Sequence, residues 1–122
     1  GELGAGKTQF AKGVGNALNI TANINSPTFT LINEYNFKIF NFQSSIFNFY
    51  HIDTWRMREG KELLELGFEK MLKPGNVIVV EWLEKVREIL DNVAKYQHVM
   101  MVWIAIDYQD EKTREITIFA KH

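Results

Sequence analysis

Gly1-Glu2-Leu3-Gly4-Ala5-Gly6-Lys7-Thr8 opens the chain and satisfies the pattern G-x-x-x-x-G-K-[ST] at every fixed position. Each of those positions has a chemical reason. Glycines let main-chain N–H groups turn inward around phosphate oxygens, an approach that a Cβ would obstruct. A helix starting at the lysine adds the positive end of its dipole. Lys7 brings a point charge for the β- and γ-phosphates, and the Thr8 hydroxyl suits a Mg2+ ion bridging them. Gly1, Gly4, Ala5, Gly6, Lys7 and Thr8 are therefore the expected nucleotide-binding residues, with Thr8 also a metal ligand. The bland alternative is a chance glycine-rich turn. It is disfavoured because Phe10, Ala11, Val14, Ala17 and Leu18 recur at helical spacing directly after the motif, although Gly13 and Gly15 weaken that helix. Such a loop ordinarily follows a β-strand, and none precedes Gly1, so a missing native N-terminus, with any targeting signal, is expected.

Working outward from the loop, Asn25, Ser26 and Pro27 punctuate the chain before Thr28 to Tyr35, whose Thr, Phe, Leu, Ile and Tyr suit a strand. Two further aromatic and β-branched stretches, Phe37 to Phe42 and Ile46 to Ile52, are separated by Gln43, Ser44 and Ser45 as by a hairpin turn, and the second ends at Asp53. Lys61 to Leu72 reads as one amphipathic helix closed by Pro74 and Gly75. Val77 to Val80 is an unbroken apolar run, the pattern of a strand covered on both faces in a parallel sheet, and it ends at Glu81. A helical segment from Leu83 to about Val93 follows, then Val99 to Ile106 and Arg114 to Ala120 as a terminal hairpin. These elements predict an α/β fold: a three-layer P-loop NTPase architecture with a mostly parallel sheet, its N-terminal strand absent from this chain, and an antiparallel C-terminal hairpin. Residues 1–122 are expected to form a single P-loop ATPase domain.

A P-loop holds phosphate, but hydrolysis also needs a carboxylate near the metal, projected from the C-terminal end of a buried strand. Glu81 after Val77–Val80 and Asp53 after Phe49–Ile52 both fit, each against the alternative of an ordinary strand-end acid. Ser26, Pro27, Thr28 and Thr30 occupy the place of a γ-phosphate-sensing segment, though turn capping and strand propensity would explain them equally. His51 reads more readily as a packed strand histidine than as a ligand. Arg56 and Arg58 could clamp phosphate, against the default of a solvated surface role. Neither an N-K-x-D segment nor a D-x-x-G after a strand is present, so adenine is favoured over guanine.

The bulk properties narrow the rest. A formal charge of -1 over 122 residues gives no field to draw the molecule onto nucleic acid or an anionic membrane. The chain has no cysteine, which excludes disulfides and thiolate metal sites and permits a reducing cytosolic compartment, so a cytoplasmic location is expected.

With these residues in view, the chain resembles the TsaE family of small bacterial P-loop ATPases. The resemblance is carried by GELGAGKT, SPTFTLINEY at Ser26–Tyr35, YHID followed by Arg56, ELLELGFEKML, VIVVEW and IDY at Ile106–Tyr108, in that order. Gln9 replaces a threonine often seen there, and Thr54-Trp55 stands where Leu-Tyr is usual. Neither departure is expected to touch a catalytic atom. The insert from Asn36 to Asn48 is longer than the family's usual turn. The resemblance implies an ATPase component of the machinery that installs threonylcarbamoyl on adenosine 37 of tRNA, reaching tRNA only indirectly by docking on two sugar-kinase-like subunits, TsaD and TsaB. It implies that Lys7 and Thr8 bind ATP and Mg2+, that Glu81 binds Mg2+ directly or through water, and that Asp53 is a second essential acid. It further implies that Thr28 belongs to a switch-like loop, that Trp82 lies close to the nucleotide, and that the segment near Arg114 approaches the base or ribose.

The expected reaction is attack of water on the γ-phosphate, with Lys7 and the loop amides stabilising charge and Asp53 or Glu81 orienting the water. Two alternatives stay open on the residues alone. One is a small-molecule kinase, for which Arg56, Arg58 and Arg87 could serve a lid. The other is an interaction module whose bound nucleotide turns over negligibly.

Overall fold

The computed structural model describes residues 7–20, 32–38, 46–81 and 83–121. The expected switch-like segment around Thr28 and the tip of the insert lie outside them. Helix α1, Lys7–Ala17, forms as its spacing predicts. Its end is fixed by local chemistry. Asn19 adopts φ 60°, while the N–H groups of Asn19 and Ile20 reach back to the carbonyls of Asn16 and Gly15 at 3.0 Å each. That is the hydrogen-bond pattern of a Schellman cap, and it directs Ile20 into the core beside Val14.

Strand β1, Ile32–Lys38, runs antiparallel to β2, Ile46–Asp53, and β2 runs parallel to β3, Val77–Glu81. The two stretches read as ending at Tyr35 and starting at Phe37 are one strand from Ile32 to Lys38. Asn36 pairs with Asn48 inside one continuous ladder, because alternation of Tyr35 and Phe37 on one face carries the strand straight through it. The hairpin thus joins two long strands instead of adding a third.

The expected helix over Lys61–Leu72 is two short ones, α2 (Lys61–Glu65) and α3 (Phe68–Met71). Gly67 takes φ 85° between them, a left-handed conformation that terminates α2. The break leaves Leu63, Phe68 and Met71 buried but turns Leu64 and Leu66 to solvent, against a single amphipathic face holding Leu63, Leu64, Leu66, Phe68, Met71 and Leu72. Pro74 and Gly75, the latter at φ 91°, occupy the central positions of a turn closed by Asn76 N–H on the Lys73 carbonyl, as a type II turn requires. Asn76 then ties the turn inward: its Oδ1 accepts from Asn48 N–H at 2.9 Å, and its Nδ2 donates to Met71 O at 3.0 Å.

A 3-10 turn, Leu83–Lys85, leads into α4, Arg87–Val93. Strands β4 (Met101–Tyr108) and β5 (Arg114–Lys121) form the expected terminal hairpin, which is a separate antiparallel ladder among the described residues. Residues Val77–Val80 are half-buried but packed on both faces as expected, while β2 is the one ladder partner of β3 among the described residues.

Register decides which side chains share a face. Phe49, His51 and Asp53 lie opposite Val77, Val79 and Glu81, and all six project to one side of the sheet. On that side Phe49, Val77 and Val79 pack with Ala11, Val14, Leu18 and Ile20 of α1 and its cap. On the other side Ile52, Ile78 and Val80 pack with Leu63, Phe68, Leu90 and Trp103. Helix α1 and the two strand-end acids therefore stand on the same face.

Candidate functional site

Asp53 and Glu81 are direct register partners at the C-terminal ends of the parallel strands β2 and β3. Each ends an apolar run, so the strand's packing fixes the backbone beneath the carboxylate. Both are buried. Burial of two carboxylates side by side is costly unless positive charge, hydrogen bonds or a metal compensates.

The described surroundings supply part of that compensation. Asp53 Oδ1 accepts the main-chain N–H of Trp55 at 3.2 Å. His51, fully buried one register step back on the same face, places Nε2 3.3 Å from Glu81 Oε2, an ion pair whenever the imidazole is protonated. Thr54, also fully buried, directs both its hydroxyl (2.9 Å) and its N–H (3.2 Å) to the Glu81 carbonyl. Glu81 Oε1 is buried and has no hydrogen-bond partner among the described residues.

The Thr54-Trp55 pair lies against the strand-end acids: the Thr54 hydroxyl bonds to the main chain of Glu81, and the Trp55 main-chain N–H, which any residue there would supply, bonds to the carboxylate of Asp53. His51 likewise does more than pack, since its imidazole meets Glu81. Sequence held a signal for both: a histidine and a threonine flanking Ile52-Asp53 in an apolar strand are polar groups that must find partners if buried. Nothing in their spacing says which partners.

The other predicted residues divide as follows. Lys7 and Thr8 begin α1, on the face that carries Asp53 and Glu81; their side chains lie outside the described parts, as do Gly1, Gly4, Ala5, Gly6, Thr28 and Trp82. Arg114 begins β5, where its guanidinium lies 4.5 Å from the Tyr108 ring centroid and donates to the carbonyls of Asp110 and Thr113. Arg56 lies over Trp55 at 5.2 Å and Arg87 over Trp103 at 4.3 Å. Two of the three arginines considered for a kinase lid thus cover separate aromatic surfaces.

Among the described residues no three His, Asp or Glu side chains converge on one point as a metal cage would require. The donor set nonetheless suits Mg2+, which typically takes one or two carboxylates and completes its shell with phosphate oxygens and water. An orphaned buried carboxylate oxygen on Glu81 is the kind of atom such an ion would satisfy.

Residues 1–116 match the family described as "Threonylcarbamoyl adenosine biosynthesis protein TsaE". The chain belongs to the TsaE family. Among curated relatives, the "tRNA threonylcarbamoyladenosine biosynthesis protein TsaE" of Bacillus subtilis is 38% identical over 120 residues, covering 98% of this chain and 66% of the relative. Proteins of the same name from Rickettsia felis and a Nostoc species are 40% identical over 91 residues and 35% over 123, covering 74% and 97% of this chain and 48% and 65% of theirs. This TsaE chain therefore spans about half to two thirds of the length of these relatives. Among its described residues no helix is long and apolar enough to cross a membrane.

Proposed function

We propose that this TsaE chain is a single P-loop ATPase domain that binds ATP with Mg2+ and hydrolyses it in the biosynthesis of threonylcarbamoyladenosine at position 37 of tRNA. In this reading it acts on TsaD- and TsaB-like partner subunits and meets tRNA only through them. Its fold would be the three-layer P-loop architecture with a mostly parallel sheet. The name shared by its relatives supports the biosynthetic role. The observation that carries the chemistry is the pairing of Asp53 with Glu81 at the ends of parallel strands, on the face that packs α1, the helix launched by GELGAGKT.

Each residue has a task that its position suits. The loop amides from Gly1 to Gly6 and the Lys7 ammonium hold the phosphates and offset charge on the γ-phosphoryl oxygens as the bond to ADP breaks. Bound Mg2+ would neutralise charge on the β- and γ-oxygens, with Thr8 and Glu81 as the residues holding it. Asp53 or Glu81 orients the attacking water, whose oxygen bonds the γ-phosphorus as the bond to ADP breaks; the products are ADP and inorganic phosphate, and the proton lost by the water passes to a phosphate oxygen or to solvent. Thr28 senses the γ-phosphate, while Trp82 and Arg114 contact the nucleotide.

The test is release of inorganic phosphate from Mg-ATP by the protein together with its partner subunits. Asp53→Ala and Glu81→Ala are each expected to lower it by about a hundredfold or more, the scale of a lost acid–base group. Unchanged turnover in both would sink the assignment, and phosphate appearing on an added acceptor instead of in water would favour a kinase.

A further inference from the structure

Glu81 is engaged at two separate points by one strand. Its carbonyl takes the hydroxyl and the N–H of Thr54, and its Oε2 faces the imidazole Nε2 of His51 at 3.3 Å. Both residues are fully buried and both belong to β2 or its immediate continuation, whereas Glu81 ends β3. The third polar atom of Glu81, Oε1, is buried with no hydrogen-bond partner among the described residues. With its main chain held by two donors and its Oε2 packed beside the imidazole, the Glu81 side chain has restricted torsions, and Oε1 is the oxygen left without a hydrogen bond among the described residues.

We infer that His51 and Thr54 are positioning residues that lock Glu81 so that Oε1 is the oxygen presented to Mg2+ or to its water. This rests on the reading of Glu81 as a metal-binding acid. The two residues divide the work. Thr54 fixes the Glu81 main chain, because a second donor on a carbonyl already used by the ladder resists peptide rotation. His51 fixes the carboxylate plane from below, since it lies on the same face two residues before Asp53 and one register step behind Glu81. A methyl in place of the Thr54 hydroxyl would leave the cavity filled yet release the carbonyl from one donor.

The experiment measures how Mg2+ strengthens binding of a fluorescent ATP analogue to the protein, recording the Mg2+ concentration at half effect, alongside thermal midpoints. The variants are Thr54→Ala, Thr54→Ser, His51→Leu and His51→Gln, with Glu81→Ala as reference. Groups that orient a metal ligand typically carry about tenfold or more in metal affinity, so Thr54→Ala and His51→Leu are expected to raise the half-effect concentration about tenfold. Thr54→Ser and His51→Gln, which keep a donor, are expected to restore most of it, and analogue affinity without Mg2+ is expected to stay constant. Folded Thr54→Ala and His51→Leu proteins that keep the parent's Mg2+ response, while Glu81→Ala loses it, overturn the inference alone. A Glu81→Ala protein with an unchanged Mg2+ response overturns the metal-binding reading of Glu81 itself. Should Thr54→Ala or His51→Leu fail to fold, Thr54→Val against Thr54→Ser and His51→Asn against His51→Gln are compared in the same way. Loss of folding in these as well assigns both residues to the core only and overturns the inference.

Discussion

At the scale of single residues, Gly67 and Gly75 share a positive φ but not an environment. A side chain at Gly67 would meet open space, so Gly67→Ala pays only the left-handed backbone cost, roughly 1–2 kcal/mol. At Gly75 a Cβ would overlap the ring of Phe47, which itself packs against Phe37 at 5.7 Å. Gly75→Ala therefore adds an overpacking cost of about 1–3 kcal/mol to the same backbone strain. Chemical denaturation should rank Gly75→Ala below Gly67→Ala in stability, and the reverse order would show that Phe47 yields easily. Asp53 separates charge from hydrogen bonding in a similar way. Asp53→Asn keeps an oxygen for the Trp55 amide, so it is expected to hold its thermal midpoint while losing ATP hydrolysis. Asp53→Ala is expected to lose hydrolysis and about 1 kcal/mol of stability as well. An Asp53→Asn protein with full turnover would remove the need for a carboxylate there. That an acid ends each apolar run was legible in the sequence. That the two acids are register partners was not, because register is set by pairing across a parallel crossover and not by local composition.

At the scale of elements, sequence and structure part where local propensity meets a single decisive residue. The 3.6-residue periodicity of Leu63, Leu64, Phe68 and Met71 predicts one helix, but Gly67 adopts a conformation that stops it, and the stop moves Leu64 and Leu66 outward. Asn36 has the opposite history. It falls between two stretches that read as separate strands, yet its position opposite Asn48 keeps one ladder intact. The start of α2 carries its own stabilising device. Glu62 Oε2 accepts the N–H groups of Arg58 at 2.6 Å and Glu59 at 3.1 Å, and these bonds, with that from Glu59 foremost, hold its pKa below the ordinary glutamate value of 4.5. Because the folded pKa is depressed, this contribution is fully present above the unfolded value and is lost as pH falls through the folded one. Thermal midpoints of the parent and Glu62→Gln should therefore differ at neutral pH and converge as pH drops below about 4.5. A gap that widens in acid would contradict the capping role.

At the scale of the whole molecule, one face of the β4–β5 hairpin joins the larger core cluster. Pairing puts Met101 and Trp103 on one side of the hairpin, and both join the cluster formed with Ile52, Leu63 and Leu90. The Arg87 guanidinium covers the Trp103 ring at 4.3 Å and extends that attachment to α4. The opposite face carries Val102, Ile116 and Ile118, all substantially exposed, beside a buried Ile106. Sequence showed two apolar strands in a hairpin, but with apolar residues on both faces it could not say which face is the anchor. The structure makes the two faces unequal, and mutation should too. Trp103 is 4% exposed, so Trp103→Ala removes a buried aromatic and its cation contact, at a cost of about 3–5 kcal/mol. Ile118 is 63% exposed, so Ile118→Ala should change stability by no more than about 0.5 kcal/mol. Equilibrium unfolding of this chain measures both. Since the Trp103 side of the core also supports Ile52, next to Asp53, loss of the anchor should reach the acid pair: Trp103→Ala is expected to weaken ATP hydrolysis although Trp103 touches neither carboxylate. A Trp103→Ala protein as stable and active as the parent would mean that the hairpin and the β2–β3 site are mechanically independent.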